Sequence, residues 1–241
     1  MKDDIYQHNG VDRDFRFDDK VADVFDDMLT RSVPCYQTVI TMITSLLNRE
    51  LAPGDTVYDL GSSTGNTLAE LARNCVVPDL RFIGIDSSEA MISKALHKAE
   101  MFSLENRLTF RKGDIIDLEI ADGGAIILNY TLQFIRPVLR DRFVKKLYAS
   151  LRPGGILILS EKIISASPEL NRAYIDFYLD FKRRNGYSET EIARKREALE
   201  NVLIPFSIEE NRELLSRAGF KTVETFFQWF NFSSMIAIKS S

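Results

Sequence analysis

The chain has 241 residues, 45% hydrophobic and 27% charged, and a chain of that size can bury about 70% of its unfolded surface without disulfides or a structural metal. Disorder, collagen-like repetition and a cysteine framework are excluded as descriptions of the whole. The 31 Lys and Arg against 35 Asp and Glu leave a formal net charge of −4, which argues against stable coating of a nucleic acid.

The amino terminus is polar up to Phe15 and carries no apolar signal core, and no run reaches the roughly 18 apolar residues of a membrane span. Cys35 and Cys75 lack metal spacing and read as thiols in a reducing, cytoplasmic compartment. Apolar spacing predicts a helix over 18–28 and a second one after Pro34, a residue suited to a first turn. The interrupted Arg31-Ser32-Val33-Pro34-Cys35-Tyr36 between them is too polar to be packing alone.

Past Pro53-Gly54 the rhythm becomes strand, loop, helix. Strands are expected at 56–60, 80–85, 109–112, 125–128 and 156–159, with helices over 66–74, from Ser87 or Ser88 through 101, and 138–151. Short apolar strands alternating with longer helices predict an open α/β fold with a parallel sheet covered on both faces. Two further helices, 168–183 and 188–203, interrupt the alternation. A helix over 207–218 and a β-hairpin from 223–229 and 235–238 close the chain. The organisation is read as one domain, 1–241, with a helical cap at 17–50, a cofactor-binding core at 55–160, a helical pair at 168–203 and a terminal helix and hairpin at 207–239.

The strongest local signal is Asp59-Leu60-Gly61-Ser62-Ser63-Thr64-Gly65, a glycine turn after the first strand that lets a ligand approach the backbone. Ser63 stands where a dinucleotide fingerprint has its second glycine, so the pyrophosphate version is incomplete. Asp86 ends the next strand, 21 residues after Gly65. Its carboxylate suits two ribose hydroxyls, and a nucleoside cofactor is favoured over glycine packing with a capping aspartate. The same turn also spells a nucleophile elbow around Ser63, which needs a late acid and histidine. The only histidines are His8, in a terminus read as mobile, and His97, on a surface helix. Acyl hydrolysis and histidine-based metal chemistry are therefore disfavoured.

Asp114, before Ile115, either meets an adenine amino group with Ile115 packed on the ring, which is favoured, or caps the next segment. Asn129 either orients a ligand amine or carboxylate or stops its strand. In 188–203, Arg196 interrupts the face of Ile192, Leu199 and Leu203. Snorkelling, an ion pair with Glu200, or a guanidinium aimed at a ligand carboxylate remain equal accounts. Arg194 and Lys195 are expected to be solvated, as is the basic run Lys182-Arg183-Arg184. Leu170, Tyr174, Phe177, Tyr178 and Phe181 form a packing stripe that is also a plausible self-association surface.

From about Phe17 to Lys239 the chain resembles the carboxy-S-adenosyl-L-methionine synthase family, within the class I methyltransferase superfamily. The resemblance is carried by FDDKVADVFDDMLTRSVPCY, VYDLGSSTG, ILNYTLQF, LILSEK, FKRRNGYSETEIARKREALENV and WFNFSSMIAIK. It implies a Rossmann-like, mostly parallel seven-stranded sheet with helices on both faces. It also implies formation of carboxy-S-adenosyl-L-methionine from S-adenosyl-L-methionine and prephenate, with phenylpyruvate and water. Prephenate decarboxylation would supply carbon dioxide to the deprotonated sulfonium methyl group, with the departing hydroxide as base. No metal is implied. The family is homodimeric, and its product passes to a separate enzyme that carboxymethylates hydroxylated wobble uridine in tRNA. The resemblance carries cofactor roles onto Tyr36, Gly61, Ser62, Ser63, Asp86, Ser87, Asp114, Ile115, Asn129 and Arg196, with Arg196 at the carboxylate. Ser62 stands in place of the usual cysteine and Ser87 in place of the usual asparagine.

Overall fold

The computed structural model describes residues 2–8 and 15–240; the side chain of His8 and residues 9–14 lie outside the described residues. The chain runs α1 (Ile5–His8), α2 (Asp19–Ser32), α3 (Tyr36–Glu50), β1 (Thr56–Leu60), α4 (Asn66–Asn74), β2 (Arg81–Asp86), α5 (Glu89–Met101), β3 (Leu108–Lys112) and β4 (Gly123–Asn129). A 3-10 turn (Leu132–Phe134) then leads to α6 (Pro137–Ser150), β5 (Leu151–Ile164), α7 (Pro168–Arg184), α8 (Glu189–Leu199), β6 (Phe206–Ser207), α9 (Ile208–Ala218), β7 (Thr222–Trp229) and β8 (Phe232–Ile238).

Strand order is β3-β2-β1-β4-β5-β8-β7, and β6 pairs with β5 outside that path. The five strands from β3 to β5 are parallel, while β8 runs antiparallel to both β5 and β7. This is the open α/β sheet that the element pattern predicts and the Rossmann-like sheet that the family resemblance implies, with one correction. The sheet has eight strands rather than seven, because Phe206-Ser207 adds a two-residue strand against Ile163 and Ile164. So short a segment carries no period to read.

Period-two burial explains the layers. Ala125, Ile127, Ile156 and Ile158 pack with Val39, Ile43, Leu68 and Ala95 of α3, α4 and α5. Ile126, Leu128, Leu157 and Leu159 pack with Phe143 and Leu147 of α6 and Leu214 and Leu215 of α9. Both faces are therefore covered, as buried parallel strands require. A third cluster joins Phe15 and α2 to Met91 of α5 and Ala198 of α8, closing the N-terminal helices over the sheet's carboxyl edge.

Several boundaries move for local reasons. Pro34 precedes the second helix rather than opening it: Cys35 adopts φ 56° and α3 starts at Tyr36. Ser88, not Ser87, caps α5 by accepting from the Met91 amide at 3.3 Å. The helix around Arg196 ends at Leu199 instead of 203, where the Val202 and Leu203 amides turn back to the Leu199 carbonyl. Within the described residues 2–8 the setting is also less polar than expected. Ile5 and Tyr6 pack against the third cluster, and Asp3 is 1% exposed.

Candidate functional site

Parallel strands deliver their carboxyl ends to one edge. Leu60 pairs with Ile85, Asp86 with Lys112 and Asn129 with Ser160, so the segments after β1, β2, β3, β4 and β5 open onto the same cavity. The cavity has a volume of about 750 Å³ and is lined by all ten sequence-predicted residues: Tyr36, Gly61, Ser62, Ser63, Asp86, Ser87, Asp114, Ile115, Asn129 and Arg196. That size suits a drug-sized or nucleoside-sized ligand.

One end is built from backbone. Gly61 has φ +80°, and a Cβ there would sit 2.6 Å from the Thr131 side chain, so the turn needs glycine on both counts. Ser63 adopts φ 48° and donates its amide to Asp86 Oδ2 at 2.9 Å, while Asp86 Oδ1 accepts from the Ser88 amide at 2.9 Å. Burial raises the Asp86 pKa, and these backbone donors work against the rise. The carboxylate is thus fixed in place with lone pairs left over. Behind it, Asp59 is 1% exposed, its Oδ1 has no hydrogen-bond partner among the described residues, and burial followed by repulsion from Asp86 pushes it up to about 7.

A side-chain relay forms the neighbouring wall. Asn129 Nδ2 donates to Thr67 Oγ1 at 3.1 Å, and Thr67 Oγ1 lies 3.0 Å from the Tyr36 hydroxyl. The relay leaves Asn129 Oδ1 buried without a hydrogen-bond partner among the described residues, as is Ser62 Oγ. Asp114 Oδ1 accepts from the Ile116 amide at 2.9 Å, the capping arrangement, while Asp114 and Ile115 still face the cavity. Ser63 fits no elbow chemistry: its hydroxyl lies 3.5 Å from the Gly61 carbonyl, and no histidine among the described residues lines the cavity. His97 is on the surface of α5, 3.8 Å from Glu100. Cys35 and Cys75 are both free.

The other end is cationic, and the sequence reading placed only Arg196 there. Arg196 lines the cavity with Ile192, Leu199 and Leu203, and among the described residues it forms no ion pair with Glu200. Lys195 is corrected from solvated to buried: it is 5% exposed, 3.4 Å from Asp3 Oδ2 and 3.1 Å from Ser32 Oγ. Arg194 is half-buried and donates to the Tyr6 carbonyl at 2.9 Å. Lys182 is likewise corrected: it too is 5% exposed and lines the cavity, whereas Arg183 pairs outside with Asp180 and Glu189. Lys162, past the end of the expected 156–159 strand, joins them because β5 continues to Ile164. Its signal was the position at the carboxyl edge, two residues beyond Ser160. For Lys182 the signal was its spacing of four from Tyr178, on the aromatic face rather than outside it.

The aromatic stripe packs within the chain. Tyr174 and Phe177 meet Phe230, Tyr178 meets Phe232, and Phe181 meets Trp229. Leu170, Phe177 and Phe230 remain exposed together on that side. Among the described residues no helix is long and apolar enough to cross a membrane.

A methyltransferase domain profile matches residues 57–155. The chain shares the fold of an O-methyltransferase family protein from Burkholderia thailandensis, with a TM-score of 0.66, 18% identity and coverage of 92% of this chain. It spans 60% of that longer protein. Much nearer in sequence is the carboxy-S-adenosyl-L-methionine synthase of Desulfotalea psychrophila, 55% identical over 99% of this chain and 97% of its own length. The protein of the same name from Nautilia profundicola is 46% identical over 99% of this chain and 100% of its own. Identity of that depth, running through the cap and the late helices as well as the methyltransferase-like sheet, shows that this chain belongs to the carboxy-S-adenosyl-L-methionine synthase family.

Proposed function

We propose that this chain converts S-adenosyl-L-methionine and prephenate to carboxy-S-adenosyl-L-methionine, phenylpyruvate and water. The product then serves a separate enzyme that carboxymethylates wobble uridine in tRNA. The observation that carries the reading is Arg196. A guanidinium without a carboxylate partner of its own among the described residues shares one cavity with the Gly61–Asp86 nucleoside-binding turn. S-adenosyl-L-methionine brings one carboxylate, on its amino-acid end; the carboxylated sulfonium brings a second, and a cation without its own carboxylate partner suits it.

In this reading Asp86 takes the ribose hydroxyls, Asp114 and Ile115 the adenine, and Ser62, Ser63 and Ser87 line the nucleoside. Tyr36 holds the Asn129 relay, whose free Oδ1 meets the amino group of the bound amino acid. Prephenate supplies carbon dioxide and hydroxide, which balance as a carboxylate on the former methyl carbon and one water. Arg196 pairs the new carboxylate with two parallel donors. The apolar walls hold the reactants together and keep bulk water out, so proximity takes the place of a protein nucleophile. We also place the enzyme in the cytoplasm, supported by its two free thiols. We further propose a homodimer through the exposed Leu170, Phe177 and Phe230 side; sedimentation as a monomer throughout the micromolar range would exclude it.

Intact-mass measurement of S-adenosyl-L-methionine incubated with the enzyme, with and without prephenate, tests the activity. A gain of one carboxyl group that requires prephenate is expected. Methyl transfer to added RNA without that gain would instead establish an ordinary methyltransferase, the reading that the methyltransferase domain match alone supports.

A further inference from the structure

Beyond Arg196, two further basic side chains, Lys162 and Lys182, line the cavity. Lys162 Nζ lies 4.9 Å from the centroid of the Tyr178 ring and Lys182 Nζ lies 4.7 Å from it, so both ammonium groups fall within the span of one small ligand. Tyr178 donates its hydroxyl away from them, to the Ser32 carbonyl at 3.0 Å, and offers only its ring. Neither lysine forms an ion pair or a side-chain hydrogen bond among the described residues, whereas their neighbour Lys195 is matched by Asp3. Burial, then Lys195 and Lys162, hold the Lys182 pKa well below its ordinary value; burial and then Arg196 bring Lys162 to about 8.

Beside Phe232, whose ring is 5.1 Å from that of Tyr178, Asn231 also lines the cavity. It is 1% exposed, and neither Nδ2 nor Oδ1 of its amide has a hydrogen-bond partner among the described residues. A buried amide without a partner, and basic side chains held only against an aromatic ring, are costly, and a protein keeps them where a ligand completes them.

We propose that Lys162, Lys182 and Asn231 form the subsite for the second substrate, holding the carboxylates of a dicarboxylic acid whose unsaturated ring lies against Tyr178. The assignment rests on the function proposed above and adds the residues and charge class that select the second substrate. It places the dianion at the cationic end, away from Asp86. Arg196 stays free for the carboxylate that is formed.

Single Lys162→Met and Lys182→Met enzymes test this through KM for prephenate, measured by product mass, and the calorimetric Kd for S-adenosyl-L-methionine. KM for prephenate is expected to rise at least about tenfold in each, while the Kd for S-adenosyl-L-methionine changes less than about twofold. Lys182→Arg should recover part of the loss. The unfolding temperature of Lys182→Met should not fall, because a buried amine without an ion-pair partner among the described residues is being removed. An unchanged KM, or an equal loss of both substrates, overturns the subsite while leaving the activity standing. Should one variant not fold, the other carries the same expectation. If the wild-type enzyme makes no product, the proposed activity fails, and calorimetric titration of prephenate alone decides the subsite. Binding that Lys182→Met loses supports it; no binding to the wild type, or equal binding, overturns it.

Discussion

The two ends of the cavity solve opposite problems. At the Gly61–Asp86 end the charge is negative and already held, with the Asp86 oxygens accepting from the Ser63 and Ser88 amides before any ligand arrives. At the other end the side chains are basic and, apart from Lys195 with Asp3, none has an ion-pair partner among the described residues. At the first end the Asp86 carboxylate is satisfied before a ligand arrives, although Asp59 behind it is buried at a cost. The second is kept at a cost to stability that bound carboxylates would relieve. A site so divided can hold a sulfonium nucleoside and an organic anion side by side without either binding in the other's place.

The sharpest way to break this comparison is to remove one anchor from each end. Arg196→Ala is expected to lower carboxylation by about 10²- to 10³-fold, the loss typical of a donor aimed at forming charge. Arg196→Lys should lose less but still fail as a planar clamp. Both should weaken carboxy-S-adenosyl-L-methionine more than S-adenosyl-L-methionine. Asp86→Ala should weaken the two alike, by about 1.5–3 kcal/mol, if its carboxylate meets the nucleoside they share, as proposed. Calorimetric titration of both cofactors into each folded variant makes the measurement. Matching losses in Arg196→Ala, or a difference in Asp86→Ala, would mean that the ends are not separate.

This division also explains what could be read from the amino acids alone. The nucleoside end lies in consecutive strand-turn units, so Gly61, Asp86, Asp114 and Asn129 each announce themselves by following a short apolar strand. The cationic end is gathered from β5, α7, α8 and the β7–β8 turn, and no single window contains it. Lys182 opens a basic run whose other members are outside, and composition hides the one side chain that points in. Asp3 is buried by Lys195 and Tyr187, nearly the whole chain away, so nothing local marks it. Arg196 was legible as an anomaly on an apolar face, but periodicity carried its helix to 203. Only backbone hydrogen bonds reveal the turn at Leu199.

A smaller effect is expected in stability. Asp59 is held at about 7 by burial and then by Asp86. A carboxyl raised in the folded state contributes stability fully present below its unfolded pKa of about 3.9 and lost as pH rises through about 7. Asp59→Asn removes that titration. The variant should therefore gain on the wild type between pH 5 and pH 8, by roughly 1–2 kcal/mol, since the carboxyl faces a cavity rather than a sealed core. Unfolding temperatures across that range should separate by about 2–4 °C per kcal/mol. A constant difference with pH would show that the acidic end is solvated enough to ionise freely.

The smallest expected change probes how the held end is held. Tyr36 is buried, and burial pushes its phenol up to about 12, so it is a neutral hydroxyl beside Thr67 Oγ1 at 3.0 Å. Thr67 in turn accepts from Asn129 at 3.1 Å, which fixes the face of the amide whose Oδ1 is left for a ligand amine. Tyr36→Phe keeps the ring and its packing against Tyr130 but cuts the first link of that relay. One neutral hydrogen bond is worth about 0.5–1.5 kcal/mol. S-adenosyl-L-methionine should accordingly bind a few-fold more weakly, with less loss than Asp86→Ala produces. Calorimetry distinguishes the outcomes. An unchanged Kd would reduce Tyr36 to packing, and a loss as large as that of Asp86→Ala would mean that its hydroxyl touches the ligand directly, so that the acidic end is anchored from three sides instead of two.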